Sequence, residues 1–400
     1  MTFHDPSSGL TIDADFECGS AGEIRRTGPC AYEADPLPET VPDWFLEALR
    51  RHFAGAGVPR EYACAVRVTS AAPERRTVNL RFVFSKTKGK SYMRPPYWIH
   101  REPRWRPLSA SATAFVRDSH VDLTFDLDPG ESVRVANKPY RTPAEVAGEM
   151  EDLTAASGLF SVRELGRTAQ GRPILALETP PREETLVVGA TMQPAEPAAR
   201  PVLAVAHYLT SRSDLTTRLL DRFRFAFLPL PNPDGAAGGR SVTNALGEVP
   251  MFSFGHLIAG QPAPLETKAV WNYMTTLRPA AYVEFHTHYQ GHTFHKLNPL
   301  SLDWFPPALH DRVKRADAAL TALNAEWRMT PIERGMPLED TGKFTNLAVH
   351  FQTLAYCYQI YAITEEATCA HAVEVVSALA QALAGPDWAA TKKPPRIVKG

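Results

Sequence analysis

Near Tyr140 the hydrophobic period of this chain changes, and that change constrains its fold more than any other feature. Upstream, CAVRVTS, TVNLRFVFS, ATAFVRD and HVDLTFDLD alternate apolar and polar side chains and are separated by Pro, Gly, Asn and Asp. Such alternation buries one face of a strand and wets the other. These segments therefore read as short strands of a β-sandwich, interrupted by one helix, WFLEALRRHF. Downstream, strands and helices take turns. TPAEVAGEMEDLTAAS predicts a helix capped by Thr142, with Glu145 three residues on completing a capping box. TLVVGATM, RFRFAFLPLP, AYVEFHTH and YAITEE read as strands, while 202–211, ETKAVWNYMTTL, 307–324 and 370–384 read as helices. NPDG, after RFRFAFLPLP, is a strong turn signal. This alternation implies an α/β fold with a mixed sheet covered on both faces, and chemistry gathers where the strands of such sheets end.

At 400 residues the chain exceeds one ordinary core, so two domains are expected. They are an all-β sandwich over 1–140 and a mixed α/β domain over 141–388, followed by a mobile tail over 389–400. A net charge of −1 provides no field to gather nucleic acid or an acidic membrane. The N-terminus shows neither a basic nor an apolar leader, and no apolar run of about twenty residues is visible, so no secretory signal or membrane span is expected. The five cysteines (Cys18, Cys30, Cys64, Cys357, Cys369) are odd in number, spread out and free of CxxC pairs, which suits reduced thiols in a cytoplasmic protein.

Three loops directly follow predicted strands: 193–196, 232–235 and 286–288. A fourth candidate is the Glu365–Glu366 pair in YAITEE. The stretch EFHTHYQGHTFH holds His286, His288, His292 and His295, four of the thirteen histidines. Hydrolytic zinc sites use three His- or Glu-type ligands, a water and a nearby carboxylate base. Glu196 and His286 suit the ligand role, and one of the paired glutamates suits the base. Other polar residues have structural readings. His207 is expected to pack on its apolar helix, Asn232 and Asp234 to shape their turn, and the aromatic residues of PPYWIHR to pack between the domains.

Taken in order, FECGSAGE, PPYWIHR, NKPYRTPAEVAGEMEDL, LGRTAQGRPILALE, the 193–196 loop, LPLPNPDGAAGGR, YVEFHTH and AITEEA carry a resemblance. From about Tyr140 to Gly385 the chain resembles the M14 metallocarboxypeptidase family. Its N-terminal part is similar to the β-sandwich domain of the cytosolic carboxypeptidase branch of that family. The resemblance implies a carboxypeptidase-like α/β domain, zinc and amide hydrolysis, and position by position it is incomplete. The family binds zinc through a His-x-x-Glu pair and a later strand-end histidine. Glu196 and His286 match two of these, but Gln193 stands where the first histidine belongs, and its amide oxygen is a much poorer zinc donor than imidazole. His288, His292 and His295 are the nearest substitutes for the missing ring.

Arg240 matches the family arginine that polarises the scissile carbonyl. The Asn-Arg pair that grips the substrate's terminal carboxylate is replaced by Pro250 and Met251 of GEVPMF, neither of which can hold a carboxylate. Thr364 and Glu366 match a Thr-x-Glu strand bearing the catalytic glutamate. Strand alternation would set both on one face, making Glu366 the expected base and Glu365 its near alternative. The expectation is a zinc-dependent M14-type hydrolase acting on a peptide or acylated small molecule other than an ordinary peptide C-terminus. Its rivals are a metal-free pseudoenzyme that binds through the same fold, and a metal-free acid/base enzyme using the histidine cluster and Glu366.

Overall fold

The computed structural model describes residues 1–52, 63–84, 94–289, 295–323, 328–329, 332–335 and 340–385. The first eleven strands are β1 (Thr2–Asp5), β2 (Leu10–Asp13), β3 (Ile24–Gly28), β4 (Ala31–Ala34), β5 (Ala65–Ser70), β6 (Arg76–Val83), β7 (Trp98–Arg101), β8 (Arg104–Pro107), β9 (Thr113–Val116), β10 (His120–Leu127) and β11 (Ser132–Ala136). They form a six-stranded sheet, β1-β2-β5-β11-β7-β8, and a five-stranded sheet, β3-β4-β6-β10-β9. The first is antiparallel throughout, and the second has one parallel pair, β4 with β6. Ile12, Val66 and Val135 of the first sheet share a core with Leu80, Phe82 and Leu123 of the second, as period-two alternation requires. Helix α1 (Asp43–His52) stands between β4 and β5.

The rest of the chain runs through α2 (Pro143–Ser157), β12 (Ser161–Arg167), β13 (Pro173–Glu178), β14 (Glu184–Ala190), α3 (Ala199–Leu209), α4 (Asp214–Arg222), β15 (Phe223–Leu228), α5 (Pro233–Ala237), α6 (Phe254–Ile258), α7 (Leu265–Leu277), β16 (Ala281–Thr287), β17 (Lys296–Pro299), α8 (His310–Thr321), β18 (Arg328–Met329), α9 (Lys343–Phe351), β19 (Leu354–Ile360) and α10 (Glu365–Ala384). Its strands build one mixed sheet, β12-β13-β15-β14-β16-β19-β17-β18. The four central strands, β15, β14, β16 and β19, are mutually parallel, so their carboxyl ends open on one edge. Helix α3 packs on β14 and β15, α9 on β19, and α10 along α3 and α8. The capping box on α2 forms: the Glu145 N–H donates to Thr142 Oγ1 at 3.1 Å, and the Thr142 N–H to Glu145 Oε2 at 2.7 Å.

Three local expectations are corrected. YAITEE is not a strand: β19 ends at Ile360, and Thr364 caps α10 by accepting the Ala367 N–H at 3.1 Å. A threonine followed by two glutamates satisfies the orphan amides and the positive end of a helix, and this outweighs the β-propensity of Ile and Thr. NPDG opens the short helix α5, with Asn232 accepting the Gly235 N–H at 3.0 Å and Pro233 at the first helical position. His207 is exposed on α3 and pairs with Glu149 at 3.1 Å, so it does not pack into the core. Among the described residues α10 is long and apolar enough, by length and composition alone, to cross a membrane; here Ala372, Val375, Val376 and Leu379 are buried in the protein core. All five cysteines are free. The expected tail lies outside the described residues.

Candidate functional site

The loops leaving β14, β15, β16 and β19 meet at the carboxyl edge of the parallel strands. The first is a tight turn, closed by the Glu196 N–H donating to the Gln193 carbonyl at 3.0 Å. Glu196 Oε2 contacts His286 Nδ1, and Glu196 Oε1 lies 4.0 Å from His288 Nε2. His286 and His288 are buried, with side chains 4% and 6% exposed. Burial alone would lower the His286 pKa, but Cys357 and the Glu196 carboxylate beside it hold it well above the ordinary histidine value. Burial works to raise the Glu196 pKa, and the imidazole overrides it, keeping the carboxyl well below its usual range. Gln193 is half-buried, and among the described residues no hydrogen bond reaches its side-chain amide.

A small cavity adjoins this group. Its wall includes Arg141, Arg240, Glu365 and Tyr289, together with Pro194 and Pro197 from the turn that carries Glu196. Its volume is about 20 Å³, enough for about one water. Gln193, Glu196, His286 and His288 do not line it. Arg141 Nη2 donates to both Glu365 oxygens, at 3.1 and 3.0 Å. Burial raises the Glu365 pKa above the ordinary glutamate value of 4.5, with Arg141 opposing it. Among the described residues no carboxylate pairs with Arg240. Three wall residues that are not glycine, Cys18, Thr191 and Tyr289, have φ of 69°, 55° and 45°. Left-handed backbone at such residues, above all at β-branched Thr191, is strained and clusters at functional sites.

The N-terminal sheets hold these loops in place. Lys138, 2% exposed and just past β11, donates to the Ala195 carbonyl at 2.6 Å and the Thr287 carbonyl at 3.1 Å. One ammonium thus ties the turn bearing Glu196 to the strand end bearing His286. Glu39 accepts the Ser241 N–H (3.2 Å), the Thr243 N–H (2.9 Å) and the Thr243 hydroxyl (2.5 Å), anchoring the chain just beyond Arg240. Gly239, at φ 60°, approaches Gly19 so closely that a Cβ would lie 2.2 Å from the Gly19 carbonyl oxygen, so only glycine fits there. Of the PPYWIHR aromatics, Tyr97 is in the sandwich core, stacked on Phe82 at 5.9 Å, while Trp98 meets Tyr289 edge-on at 5.2 Å between the two parts.

The sequence candidates separate. Glu196, His286 and His288 come together, and Arg240 and Glu365 share the neighbouring cavity wall. Glu366 is exposed on the first turn of α10, because adjacent helical residues point about 100° apart where strand alternation was expected. His295 accepts the Tyr361 N–H at Nδ1 (3.1 Å) and stacks on His371 at 3.8 Å, occupied by those contacts. His292 lies outside the described residues. Asn232 and Asp234 are structural: Asn232 Nδ2 donates to the Met192 and Thr243 carbonyls, and Asp234 accepts the Gln170 N–H and Arg172. Pro250 and Met251 are buried. Lys138, Arg141, Glu39, Glu284 and Lys343 had no assigned role in the sequence. The NKPYR motif could have marked Lys138 and Arg141, whereas no local signal marks Glu39 or Lys343.

Glu196, His286 and His288 supply one carboxylate and two imidazoles, the donor chemistry of many hydrolytic zinc centres. That donor set fits zinc in kind. Its arrangement is closed, with His286 bonded to Glu196, and among the described residues no three His, Cys, Asp or Glu side chains are spaced to hold a metal ion.

Residues 147–248 match the family model of the M14 peptidases, described as zinc carboxypeptidase. No curated protein sequence matches the chain. The fold is similar to that of a metallo-carboxypeptidase from Burkholderia cenocepacia (TM-score 0.75, 16% identity, 94% of this chain and 99% of that one covered). It is also similar to a metallo-carboxypeptidase from Pseudomonas aeruginosa, solved in complex with (2-guanidinoethylmercapto)succinic acid (TM-score 0.70, 18% identity, 92% and 98% covered). The match to the M14 zinc carboxypeptidase model thus covers residues 147–248, and the chain has the fold of these metallo-carboxypeptidases over nearly its whole length.

Proposed function

We propose that this protein is a zinc-dependent amide hydrolase of M14 type whose substrate is not an ordinary peptide C-terminus. The observation that carries this reading is the convergence of Glu196, His286 and His288 beside a strained wall bearing Arg240 and an Arg141-held Glu365. The apolar, buried Pro250 and Met251 support the second clause, since a segment without polar side chains cannot grip a carboxylate.

Once the Glu196–His286 contact opens, Glu196, His286 and His288 would hold zinc, which would supply Lewis acidity to the substrate carbonyl. Arg240 would donate N–H groups to the oxygen as it gains negative charge. Glu365, rather than Glu366, would take the proton of the attacking water and pass it to the leaving amine, a role suited by a raised pKa. Arg141 would hold the Glu365 carboxylate with two hydrogen bonds.

The deciding experiment is zinc titration of the purified protein, followed by a hydrolysis screen of N-acyl amides against peptides with free C-termini. About one zinc per chain and turnover of the amides support the reading; no zinc at saturation overturns it. Gln193→His should tighten zinc by at least about tenfold, since an imidazole replaces an amide oxygen. An unchanged affinity would show His288 already filling that position.

The acidic limb of the pH profile follows Glu365. Burial lifts its pKa above 4.5 and Arg141 pulls it down, so the limb should lie above 4.5 and Arg141→Met should move it to higher pH. A limb that does not move would remove Glu365 from the base role.

A second reading, a metal-free binding protein on the same fold, is favoured by the direct Glu196–His286 contact and by a cavity of about one water.

A further inference from the structure

Beneath His286 lies a buried polar ladder that the hydrolase reading does not use. Tyr282, Glu284 and His286 alternate along β16 and therefore project to one side of the sheet. Glu284 is 0% exposed. Its Oε2 accepts the Tyr282 hydroxyl at 2.5 Å and is paired with Lys343 Nζ, itself 1% exposed at the start of α9. Gly189 of β14 makes room for this, because a Cβ there would lie 2.3 Å from the Tyr282 hydroxyl. The other oxygen, Glu284 Oε1, has no hydrogen-bond partner and lies 3.7 Å from His286 Nε2, which has none either. These two buried polar atoms have opposite capacity and, apart from the Cys357 thiol beside the ring, no other group to satisfy them, so they are costly unless they serve one another.

We infer that Glu284, fixed by Lys343 and Tyr282, is a positioning residue that takes the Nε2 side of the His286 ring and so turns Nδ1 toward Glu196. A carboxylate behind a histidine sets which nitrogen carries the proton and which presents its lone pair. In the metal-free protein Nδ1 donates to Glu196, and with Nε2 committed to Glu284 it is Nδ1 that would give up its proton and turn its lone pair to zinc, and in that respect the inference rests on the proposed function. Lys343 makes the arrangement tolerable, since an uncompensated carboxylate at this depth would be strongly destabilising.

The test is the double variant Glu284→Gln/Lys343→Met, which removes both charges with little change of shape and so avoids stranding either one. Two measurements are made on the full-length protein: a crystal structure of the metal-free variant and a zinc Kd by chelator competition. The expected result is a His286 ring rotated away from the Glu196 contact and a zinc Kd weakened about 10- to 100-fold, with the fold retained. If the single Glu284→Gln variant also folds, the same rotation is expected. A ring that keeps its Glu196 contact overturns the inference, whatever the zinc titration gives. If the unaltered protein binds no zinc, the proposed function falls, and the ring orientation alone still decides the role of Glu284.

Discussion

Glu196→Ala is expected to abolish zinc binding and, with it, hydrolysis. Glu196 is the only carboxylate in contact with His286 Nδ1 among the described residues, and it also lies 4.0 Å from His288 Nε2. Its removal takes away one of three donors and the group that holds the other two in register. Zinc affinity should fall by at least about a thousandfold, since the site already lacks the imidazole that Gln193 replaces. The same variant should lose about 3 kcal/mol of stability, because His286 remains buried beside an empty position. His286→Ala should give the same loss of zinc. Zinc titration and denaturant unfolding separate the two rival functions. Loss of both zinc and stability fits the hydrolase. A loss of stability in a protein that bound no zinc beforehand fits the metal-free binding protein.

Arg240→Ala is expected to lower kcat by about 100- to 1,000-fold on whichever amide the screen identifies, while changing KM little. Arg240 lines the cavity wall, its loop is anchored by Glu39, and among the described residues no carboxylate neutralises it. A guanidinium placed in this way is worth most when charge develops on the carbonyl oxygen and little in the ground state, so the loss belongs in kcat. Steady-state kinetics of the variant, with zinc content confirmed, provides the check. A KM effect alone would assign Arg240 to substrate binding. Full activity would remove it from the chemistry. Glu39→Gln should show a weaker form of the same defect if the anchor matters, since the Ser241 and Thr243 amides would lose a charged acceptor.

Strand β16 was legible because AYVEFHTH alternates and ends at a polar pair, so the position of His286 at a strand end followed from the sequence. The turn bearing Glu196 was legible for the same reason, as the residues after TLVVGATM could only leave the sheet. The β-sandwich pattern of HVDLTFDLD appears in the structure as Val121, Leu123, Phe125 and Leu127 buried on one face of β10. The base was misplaced because TEE has two local meanings. As strand it selects Glu366, and as a capped helix start it turns Glu365 toward Arg141 and leaves Glu366 in solvent. Sequence spacing alone cannot choose between periods of two and 3.6 over so short a run. The histidine cluster was likewise one object in the sequence and several in space. His286 and His288 face Glu196, whereas His295 is engaged by Tyr361 and His371.

By itself, the sequence determined the change of architecture near Tyr140, the elements on either side, and the strand ends that hold Glu196 and His286. Those features depend on hydrophobic period and turn chemistry, which act between residues close in the chain. Only the tertiary structure decided that Lys138 ties Ala195 to Thr287, that Glu39 anchors the loop after Arg240, and that Lys343 compensates Glu284 beneath His286. Each of these contacts joins residues at least 57 positions apart. Their energies come from desolvated charges that find partners only once the sheets are packed, and no local pattern records them.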